Sequence, residues 1–456
     1  MYSQQRIKVT NILETVFKLM LFLYALLSTN CFTIQKTVIS FVLWPCFALG
    51  ALLILNRVIH YKSYKTPYMW CLAGLLVAGG ISVIANYSYG FKENVFLLIL
   101  WAFYFLMLYV TPDYKNETDI KKEFKLIGFI YTVCIEICVV ISIVMLIFNY
   151  GKVWDVKKGE LNVGIIYSRL YGVFTDPNLG AMSCCVALFL LIFIIYKTKN
   201  IALKITAIVF SILNVFYIAL SDSRTAMVML FVMFFLFSLV LLIKKFKKGV
   251  LLKIAAVCLS VLVGLTAFFM PTAFKKCYNG VINLTVTTQK EEDDLTIDRD
   301  YDLSGDISNR RFYVWQSGLE IFASSIIYGT GYSGVKDYAK EKLPDTYLVN
   351  NDYMEMDTFD NELINILVSN GILGFVCFAA FCIGVVVFVL KRIAKQKEKG
   401  ITLELVLFVI CAGIAAASMF RSAFVYSNTL VANMFWIALA ALVTLLKIKD
   451  SKGELV

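Results

Sequence analysis

The stretch TAMVMLFVMFFLFSLVLLIKKFKK, residues 225–248, decides the fold class. Its long apolar part carries no charge, and it ends in a cluster of four lysines. An apolar run of about 20 residues matches the length of a helix that crosses the hydrocarbon core of a bilayer. Because lipid offers no partner for unpaired backbone N–H and C=O groups, such a run must be helical. We therefore predict a transmembrane helix here.

The same pattern repeats along the whole chain. Of the 456 residues, 60% are hydrophobic and only 16% are charged, and the mean hydropathy is +0.76. A soluble domain is nearer half apolar. We predict an all-α, polytopic protein in which residues 1–456 form a single membrane domain. Its twelve predicted transmembrane helices lie at about residues 12–30, 37–58, 67–86, 93–110, 124–149, 178–196, 201–220, 223–243, 250–270, 366–390, 401–419 and 424–446.

The basic residues predict the orientation. With the N-terminus inside, each inner segment carries two to five Lys or Arg residues, whereas the short outer loops carry one each. Positive charge is favoured on the cytoplasmic side. We therefore predict that both termini are cytoplasmic, in a bacterial plasma or inner membrane. The net charge of +11 lies mainly in these inner segments, and this placement argues against nucleic acid as a partner.

Cysteine and histidine usage limits the possible chemistry. Most of the twelve cysteines lie in or beside apolar runs, and Cys277 alone lies in a predicted hydrophilic loop. No CxxC pair is followed by a second pair, so a metal or redox site is a poor interpretation. The one histidine, His60, removes most histidine-based catalysis from consideration.

Two predicted outer segments are longer than simple connections. Residues 150–177 form one outer loop, and residues 271–365 form a large outer loop between the ninth and tenth spans that we expect to contribute to the active site. The large loop contains an acidic stretch from Glu291 to Asp306 and then a predicted amphipathic helix with Ser308 as its N-cap. This helix could lie on the membrane or on the helix bundle. Its apolar positions are Phe312, Trp315, Leu319, Phe322 and Ile326, and its polar positions are Arg311, Gln316 and Glu320.

Five arginines occupy predicted outer positions, against the orientation bias: Arg169, Arg224, Arg310, Arg311 and Arg421. All except Arg169 open or closely precede predicted helices, whose N-termini already carry partial positive charge. A further cation at such an end is favourable if an anion binds there, and guanidinium grips phosphate oxygens with two parallel hydrogen bonds. The alternative is that each arginine reaches lipid headgroups or pairs with a carboxylate such as Asp222. The repetition at four separate places favours an anionic ligand.

Three blocks of sequence carry a resemblance to a known family. They are RLYGVFTDPNLG (169–180), SDSRTA (221–226), and SNRRFYVW (308–315) followed by GTG (329–331), DNEL (360–363) and NGILG (370–374). In their order and in the large outer loop, they resemble the O-antigen polymerase and O-antigen ligase superfamily, which includes Wzy-type capsular repeat-unit polymerases. The resemblance covers about residues 165–390.

The resemblance implies glycosyl transfer from a polyprenyl-pyrophosphate-linked oligosaccharide, without a metal, a nucleotide sugar or another cofactor. It implies that Arg169, Arg224 and Arg311 bind the donor pyrophosphate; Arg421 is added from its placement alone. It also implies a flippase and a chain-length regulator as partner proteins, besides the membrane lipid. Pyrophosphate or sugar binding is predicted for Arg169, Asp176, Asn178, Asp222, Arg310, Trp315, Asn361 and Arg421.

One departure from the family favours a polymerase over a ligase. Ligases that attach glycan to lipid A core carry histidine where Asp360 stands. We predict that Asp360 takes the proton of the acceptor hydroxyl or orients the acceptor, in a catalytic set with Arg224 and Arg311. Asp222 and Asp176 are alternatives for the base. A purely structural role for Asp360, as the N-cap of the next helix, is equally compatible with the sequence.

Two other functions remain open, and two motifs are misleading. A glycan ligase would use the same donor with a lipid or cell-wall acceptor, and a lipid-linked oligosaccharide flippase would move the substrate without changing it. Asp298-Arg-Asp300 has the form of a metal-dependent glycosyltransferase motif, but we expect a solvated acidic loop. The segment 329–334, GTGYSG, follows a predicted helix rather than a strand, so we expect a tight turn rather than a dinucleotide site.

Overall fold

The computed structural model describes residues 4–60, 66–156, 159–246, 249–285, 310–351, 358–396, 398 and 400–453. These residues form fourteen helices and one small sheet. The helices are α1 (Gln4–Thr29), α2 (Lys36–His60), α3 (Met69–Ala85), α4 (Phe91–Ala102, continued by the π-helical turn Phe103–Tyr109), α5 (Glu117–Ile147), α6 (Pro177–Lys197), α7 (Ile201–Ser221), α8 (Arg224–Lys245), α9 (Val250–Thr285), α10 (Arg311–Ser324), α11 (Val335–Lys342), α12 (Glu362–Lys395), α13 (Leu403–Ala417) and α14 (Leu430–Ser451).

The helices confirm the all-α, polytopic membrane fold. Among the described residues, ten helices are long and apolar enough to cross a membrane, and α3 and α13 are shorter apolar helices. Each of the twelve predicted spans coincides with one of these elements. The last helix, α14, lies at the centre of the bundle, since 83% of its most apolar window is buried.

Helix α9 is longer than the sequence predicts. It continues past Pro271 to Thr285, where the prediction placed the start of the large outer loop. Proline removes one backbone donor, but helices within membrane bundles tolerate it because neighbouring groups satisfy the freed carbonyl. Residues 272–285, including Cys277, are therefore helical and not part of a loop.

The start of α14 also differs from the prediction. The helix begins at Leu430, with Thr429 as its N-cap, and not near residue 424. The preceding apolar residues are held in an irregular loop, because Trp436 Nε1 donates to the carbonyl of Phe424 (2.7 Å) and Trp101 Nε1 donates to that of Val425 (2.8 Å). We call residues 418–429 the 418–429 loop.

A small antiparallel sheet replaces the predicted loop at residues 150–177. It has the order β1 (Gly151–Val156), β2 (Gly159–Ile166) and β3 (Arg169–Gly172). An isolated bridge between Asn30 and Phe174 ties the chain after β3 to the end of α1. The sheet therefore fixes the position at which the chain enters α6.

Helix α12 is broken near its middle. Gly371 has φ 62° and ψ −166°, outside the helical region. The freed backbone groups bond to residues 326–331: Thr330 N donates to Val368 O (3.0 Å), Gly331 N to Ser369 O (3.0 Å) and Ile372 N to Ile326 O (2.8 Å). Gly329 and Gly331 both have positive φ, so this segment is a tight turn, and the turn docks on the break.

Helix α10 forms where the amphipathic helix is predicted, but its buried face is different. Its buried face, which packs against the rest of the protein, consists of Val314, Ser317, Gly318 and Ile321. The predicted apolar positions Phe312 and Leu319 are exposed (65% and 53%). They form an apolar outer face, which suits a helix lying at a membrane surface. The acidic stretch and Ser308 lie outside the described residues.

A compact network of charges is buried between α1, α2 and the start of α5. Glu14 pairs with Arg57 (2.8 Å) and Lys115 (3.0 Å), and Glu123 pairs with Lys115 (2.7 Å) and Lys18 (2.7 Å). Burial lowers the pKa of Lys115, but the nearby Glu14 and Glu123 carboxylates outweigh it and raise that pKa above its usual value. We call these five residues the buried ion network.

Candidate functional site

Arg421 joins three separate parts of the chain. Its guanidinium lies 2.7 Å from Asp176 Oδ2, before α6, and 2.8 Å from Asp360 Oδ1, before α12. We call these three residues the outer ion triad, after the outer position that the sequence predicts for them. The nearby Asp176 carboxylate raises the pKa of Arg421 above its usual value. Burial opposes this effect, and the Asp360 carboxylate adds to the rise. Sequence reasoning singled out all three residues but did not predict that they touch.

The two carboxylates of the triad are held differently. Asp176 is the N-cap of α6: its Oδ1 accepts from Asn178 N (2.8 Å), and its Oδ2 faces Arg421. Asp360 is not a cap, because Asn361 caps α12 by accepting from Leu363 N (3.0 Å). This excludes the capping interpretation of Asp360. Among the described residues, Asp360 Oδ2 has no hydrogen-bond partner, whereas Oδ1 is held by Arg421 and by Thr358 (3.4 Å).

A buried carboxylate fixes the 418–429 loop that carries Arg421. Glu362 is fully buried, and its Oε2 accepts from Ser422 Oγ (2.6 Å) and Ala423 N (3.0 Å) while its Oε1 accepts from Val425 N (2.8 Å). Successive backbone N–H groups of this kind form a concave nest for an anion. Glu362 occupies that nest, so it sets the position of the neighbouring Arg421.

Arg169 lies on the sheet at a second junction. Its Nε donates to the carbonyl of Ser221 (2.8 Å), at the end of α7, and its Nη2 donates to Asn178 Oδ1 (3.1 Å). The guanidinium also lies 5.8 Å from the ring centre of Tyr171. Strand β3 thus holds Arg169 against the same helix start that Asp176 caps.

Asp222 and Arg224 lie in the turn between α7 and α8. Asp222 forms an ion pair with Lys275 (3.2 Å), and both side chains are mostly buried. Arg224 is the first residue of α8, after the N-cap Ser223. Lys275 is a site residue that the sequence does not predict, because it lies on the part of α9 for which the sequence predicts a loop.

The start of α10 brings in the remaining predicted residues. Arg310 is the N-cap of α10 and Arg311 its first residue. One turn later, Trp315 Nε1 donates to the carbonyl of Phe359 (3.0 Å), the residue before Asp360. Helix α10 is therefore bonded directly to the Asp360 end of α12.

Residues 209–379 match the family model described as O-antigen ligase. This segment is similar to that family. Members of this family are membrane enzymes of glycosyltransferase type that ligate or polymerise glycans. No curated protein matches the chain.

The matched segment includes only part of the site. It contains the α7–α8 turn, Lys275, the start of α10 and the Asp360 end of α12. Arg169, Asp176, Asn178 and Arg421 lie outside residues 209–379, yet the outer ion triad and the Arg169 contacts join them to it. The match confirms the resemblance to the O-antigen polymerase and ligase superfamily.

Unusual backbone conformations are frequent beside these residues. Positive φ at a non-glycine residue is uncommon and costs about 1–3 kcal/mol. Among the described residues, seven have it, and three of these belong to the predicted site: Asp222 (48°), Arg310 (64°) and Asp360 (49°). Two more, Tyr167 and Ser168, immediately precede Arg169. Such conformations persist only where the surroundings impose them, as at binding and catalytic sites.

The site combines cations and carboxylates at helix ends. The Arg421 and Asp360 side chains are 34% and 33% exposed, whereas those of Asp176, Asp222 and Lys275 are 13–18% exposed. The cationic residues are Arg169, Arg224, Lys275, Arg310, Arg311 and Arg421, and the carboxylates are Asp176, Asp222 and Asp360. This excess of positive charge suits a multiply charged anion, and Asp360 Oδ2 is available to accept a proton.

Proposed function

We propose that the protein polymerises polyprenyl-pyrophosphate-linked oligosaccharide repeat units into capsular, O-antigen or exopolysaccharide chains, on the outer face of the membrane. The observation that carries the proposal is the outer ion triad, in which Arg421 holds one oxygen of Asp360 and leaves the other without a partner among the described residues. The transfer needs a positioned carboxylate to accept the proton of the acceptor hydroxyl, and cations beside it to stabilise the leaving pyrophosphate.

The proposed reaction has one bond-breaking and one bond-forming step. The bond between the donor sugar C1 and the pyrophosphate oxygen breaks, and its electron pair leaves with the pyrophosphate. Arg169, Arg224 and Arg311 stabilise that charge where it develops. A hydroxyl oxygen of the acceptor sugar forms the new bond to C1, and its proton passes to Asp360 Oδ2.

The geometry favours Asp360 over the alternative bases. Both oxygens of Asp176 are engaged, one by the α6 cap and one by Arg421. Asp222 is also paired through one oxygen, with Lys275, but its side chain is less exposed than that of Asp360 (18% against 33%). Asp360 is held by Arg421 through one oxygen only, so the guanidinium orients the carboxylate toward the acceptor.

The test is reconstitution with a polyprenyl-pyrophosphate oligosaccharide in lipid vesicles. We expect a ladder of lengthened products and released polyprenyl pyrophosphate. Removing one preorganised donor from a developing charge costs a factor of about 100–1,000 in rate. We therefore expect Arg224→Ala, Arg311→Ala and Asp360→Asn each to lower the rate of lengthening by about 100-fold or more, with normal membrane insertion.

A matched control is Arg392→Ala. Arg392 also forms an ion pair, with Asp450 (2.6 Å), but it lies at the other end of α12. This variant should lengthen chains at the normal rate. Normal ladders from Arg224→Ala and Arg311→Ala would contradict the proposed donor site. A normal rate from Asp360→Asn would contradict the role of Asp360 as the base.

A ligase is the second candidate, because the matching family model is described as O-antigen ligase. The same assay distinguishes it: a ligase transfers the glycan once to a lipid or cell-wall acceptor and gives no ladder. A flippase would move the substrate across the bilayer and leave its mass unchanged.

A further inference from the structure

A long apolar groove lies between α5, α6 and α7. Two adjoining cavities of about 340 and 370 Å³ form it, and they share Phe129, Thr132, Ile194 and Leu203 among their lining residues. Small residues leave the space: Gly128 and Ala207 also line it. The groove is separate from the candidate functional site.

The groove opens sideways toward the lipid and has the dimensions of a hydrocarbon chain. Phe129 and Ile137 on its edge are 59% and 54% exposed. Its lining on α5 runs from Phe124 to Ile141, which at 1.5 Å per residue is about 26 Å. The hydrocarbon core of a bilayer is about 30 Å thick, so the groove covers most of that depth.

One end of the groove is basic. Lys125 and Lys197 both line it there, and both are exposed. Lys197 Nζ lies over the rings of Tyr196 (5.3 Å) and Phe193 (5.9 Å), which hold it beside the opening. In the described part of the chain, neither lysine forms an ion pair, unlike Lys18 and Lys115 of the buried ion network.

The other part of the groove is closed to an anion. Glu136 lines it and is buried, and its Oε1 accepts from Asn214 (2.6 Å). Its Oε2 has no partner among the described residues. A carboxyl group there disfavours a phosphate, so an anionic headgroup fits only at the Lys125–Lys197 end.

We propose that this groove binds one hydrocarbon chain of an anionic phospholipid, with the phosphate at Lys125 and Lys197. The charge distribution predicts that this end faces the cytoplasmic leaflet, where anionic lipids attract basic residues. The inference does not depend on the proposed reaction. Because α6 begins at Pro177 and α7 ends at Ser221, the lipid packs between helices whose opposite ends carry the candidate site.

The test is native mass spectrometry of the full-length protein in mixed micelles of phosphatidylglycerol or phosphatidylcholine with a mild detergent. We expect one lipid to remain bound after detergent exchange, with phosphatidylglycerol preferred by about 30-fold. That preference corresponds to about 2 kcal/mol, or about 1 kcal/mol for each lysine. Lys125→Gln/Lys197→Gln should remove the preference without removing the lipid.

Two further variants fill the groove. Ala207→Phe should abolish retention of both lipids. Gly128→Leu is a second filler, because a Cβ at this position would make only ordinary contacts of 3.7–3.9 Å, with Phe124 and Leu190. The unfolding temperature and the gel-filtration profile of each variant show whether it is folded. If only one of these two variants folds, its lipid retention decides the test.

The matched control is Lys391→Gln/Lys395→Gln, two exposed lysines at the end of α12 that do not line the groove. It should keep the wild-type lipid and preference. The proposal is overturned if this control loses the preference as fully as the groove pair does. It is also overturned if a folded filler variant retains lipid, or if the wild type shows no preference.

Discussion

The buried ion network and the outer ion triad use the same chemistry in opposite settings. In the first, the Glu14, Arg57 and Lys115 side chains are 0–4% exposed, and each charge is met by an opposite one. In the second, the Arg421 and Asp360 side chains are about one third exposed, and Asp360 keeps one oxygen without a partner among the described residues. The difference separates buried charges that hold helices together from charges that are accessible to a ligand.

The largest expected effect tests the structural half of this comparison. Removing one partner of a buried ion pair leaves a charge without compensation and costs about 3–5 kcal/mol. We expect Arg57→Ala to lower the free energy of unfolding by that amount, because the Glu14 carboxylate remains buried beside Lys115 alone. Denaturant unfolding in detergent micelles measures it.

The control for Arg57→Ala is Arg421→Ala in the outer ion triad. Partly exposed pairs contribute about 0–1 kcal/mol, so this variant should unfold almost as the wild type does. Chain lengthening should nevertheless fall strongly, because Asp360 loses its orienting partner. Equal losses of stability in the two variants would remove the distinction between the regions.

An intermediate effect is expected from Glu362, which acts on the triad through the 418–429 loop. In Glu362→Gln, an amide N–H₂ replaces one acceptor oxygen in a nest of backbone donors. Hydrogen bonds to charged groups contribute about 1.5–3 kcal/mol, so we expect lengthening to fall by about tenfold or more.

A double-mutant cycle distinguishes positioning from general damage. If Glu362 acts by placing Arg421, then Glu362→Gln should cause little further loss of activity in an Arg421→Ala background. Independent, multiplying losses would mean that Glu362 does not act through Arg421.

The smallest perturbation is a single cysteine substitution, used in a labelling experiment that shows which end of the molecule faces outward. Cys277 is exposed on the α9 extension, two residues from Lys275, whereas Cys31 is 3% exposed. Burial raises the pKa of the Cys31 thiol to about 11, so little reactive thiolate forms at neutral pH. In intact cells, a membrane-impermeant maleimide should label the wild type, and Cys277→Ser should lose most of that label. Labelling of Cys277 only in inverted vesicles would place the candidate site on the cytoplasmic side.

The spans were predictable from sequence because hydropathy is a local property. Each predicted span corresponds to a helix in the structure, because an apolar run that crosses lipid must be helical whatever the rest of the chain does. The three-stranded sheet at residues 151–172 was not predicted, because its strands are short and their pairing joins residues that periodicity does not connect. The sheet matters for the site, since it carries Arg169.

The candidate site was predicted as a set of residues but not as an arrangement. The arginines were found because positive charge is unexpected at outer helix ends. The bond from Arg421 to Asp176 joins residues far apart in the chain, and no spacing rule predicts it. Lys275 is not predicted, because Pro271 in the sequence indicates the end of a helix that in fact continues. Glu362 is not predicted, because a buried acid is recognised only by the donors around it.

The break in α12 has a mechanical consequence. At Gly371, an added Cβ would lie 2.3 Å from the carbonyl oxygen of Ile327, so no larger residue fits while the 326–331 turn is docked. The half-helix before the break bonds to that turn, and Trp315 bonds to the carbonyl just before Asp360. The turn also bonds to the half-helix after the break, through Ile372 N and Ile326 O, so it braces both halves and fixes the angle at which the Asp360 end of α12 meets the rest of the helix.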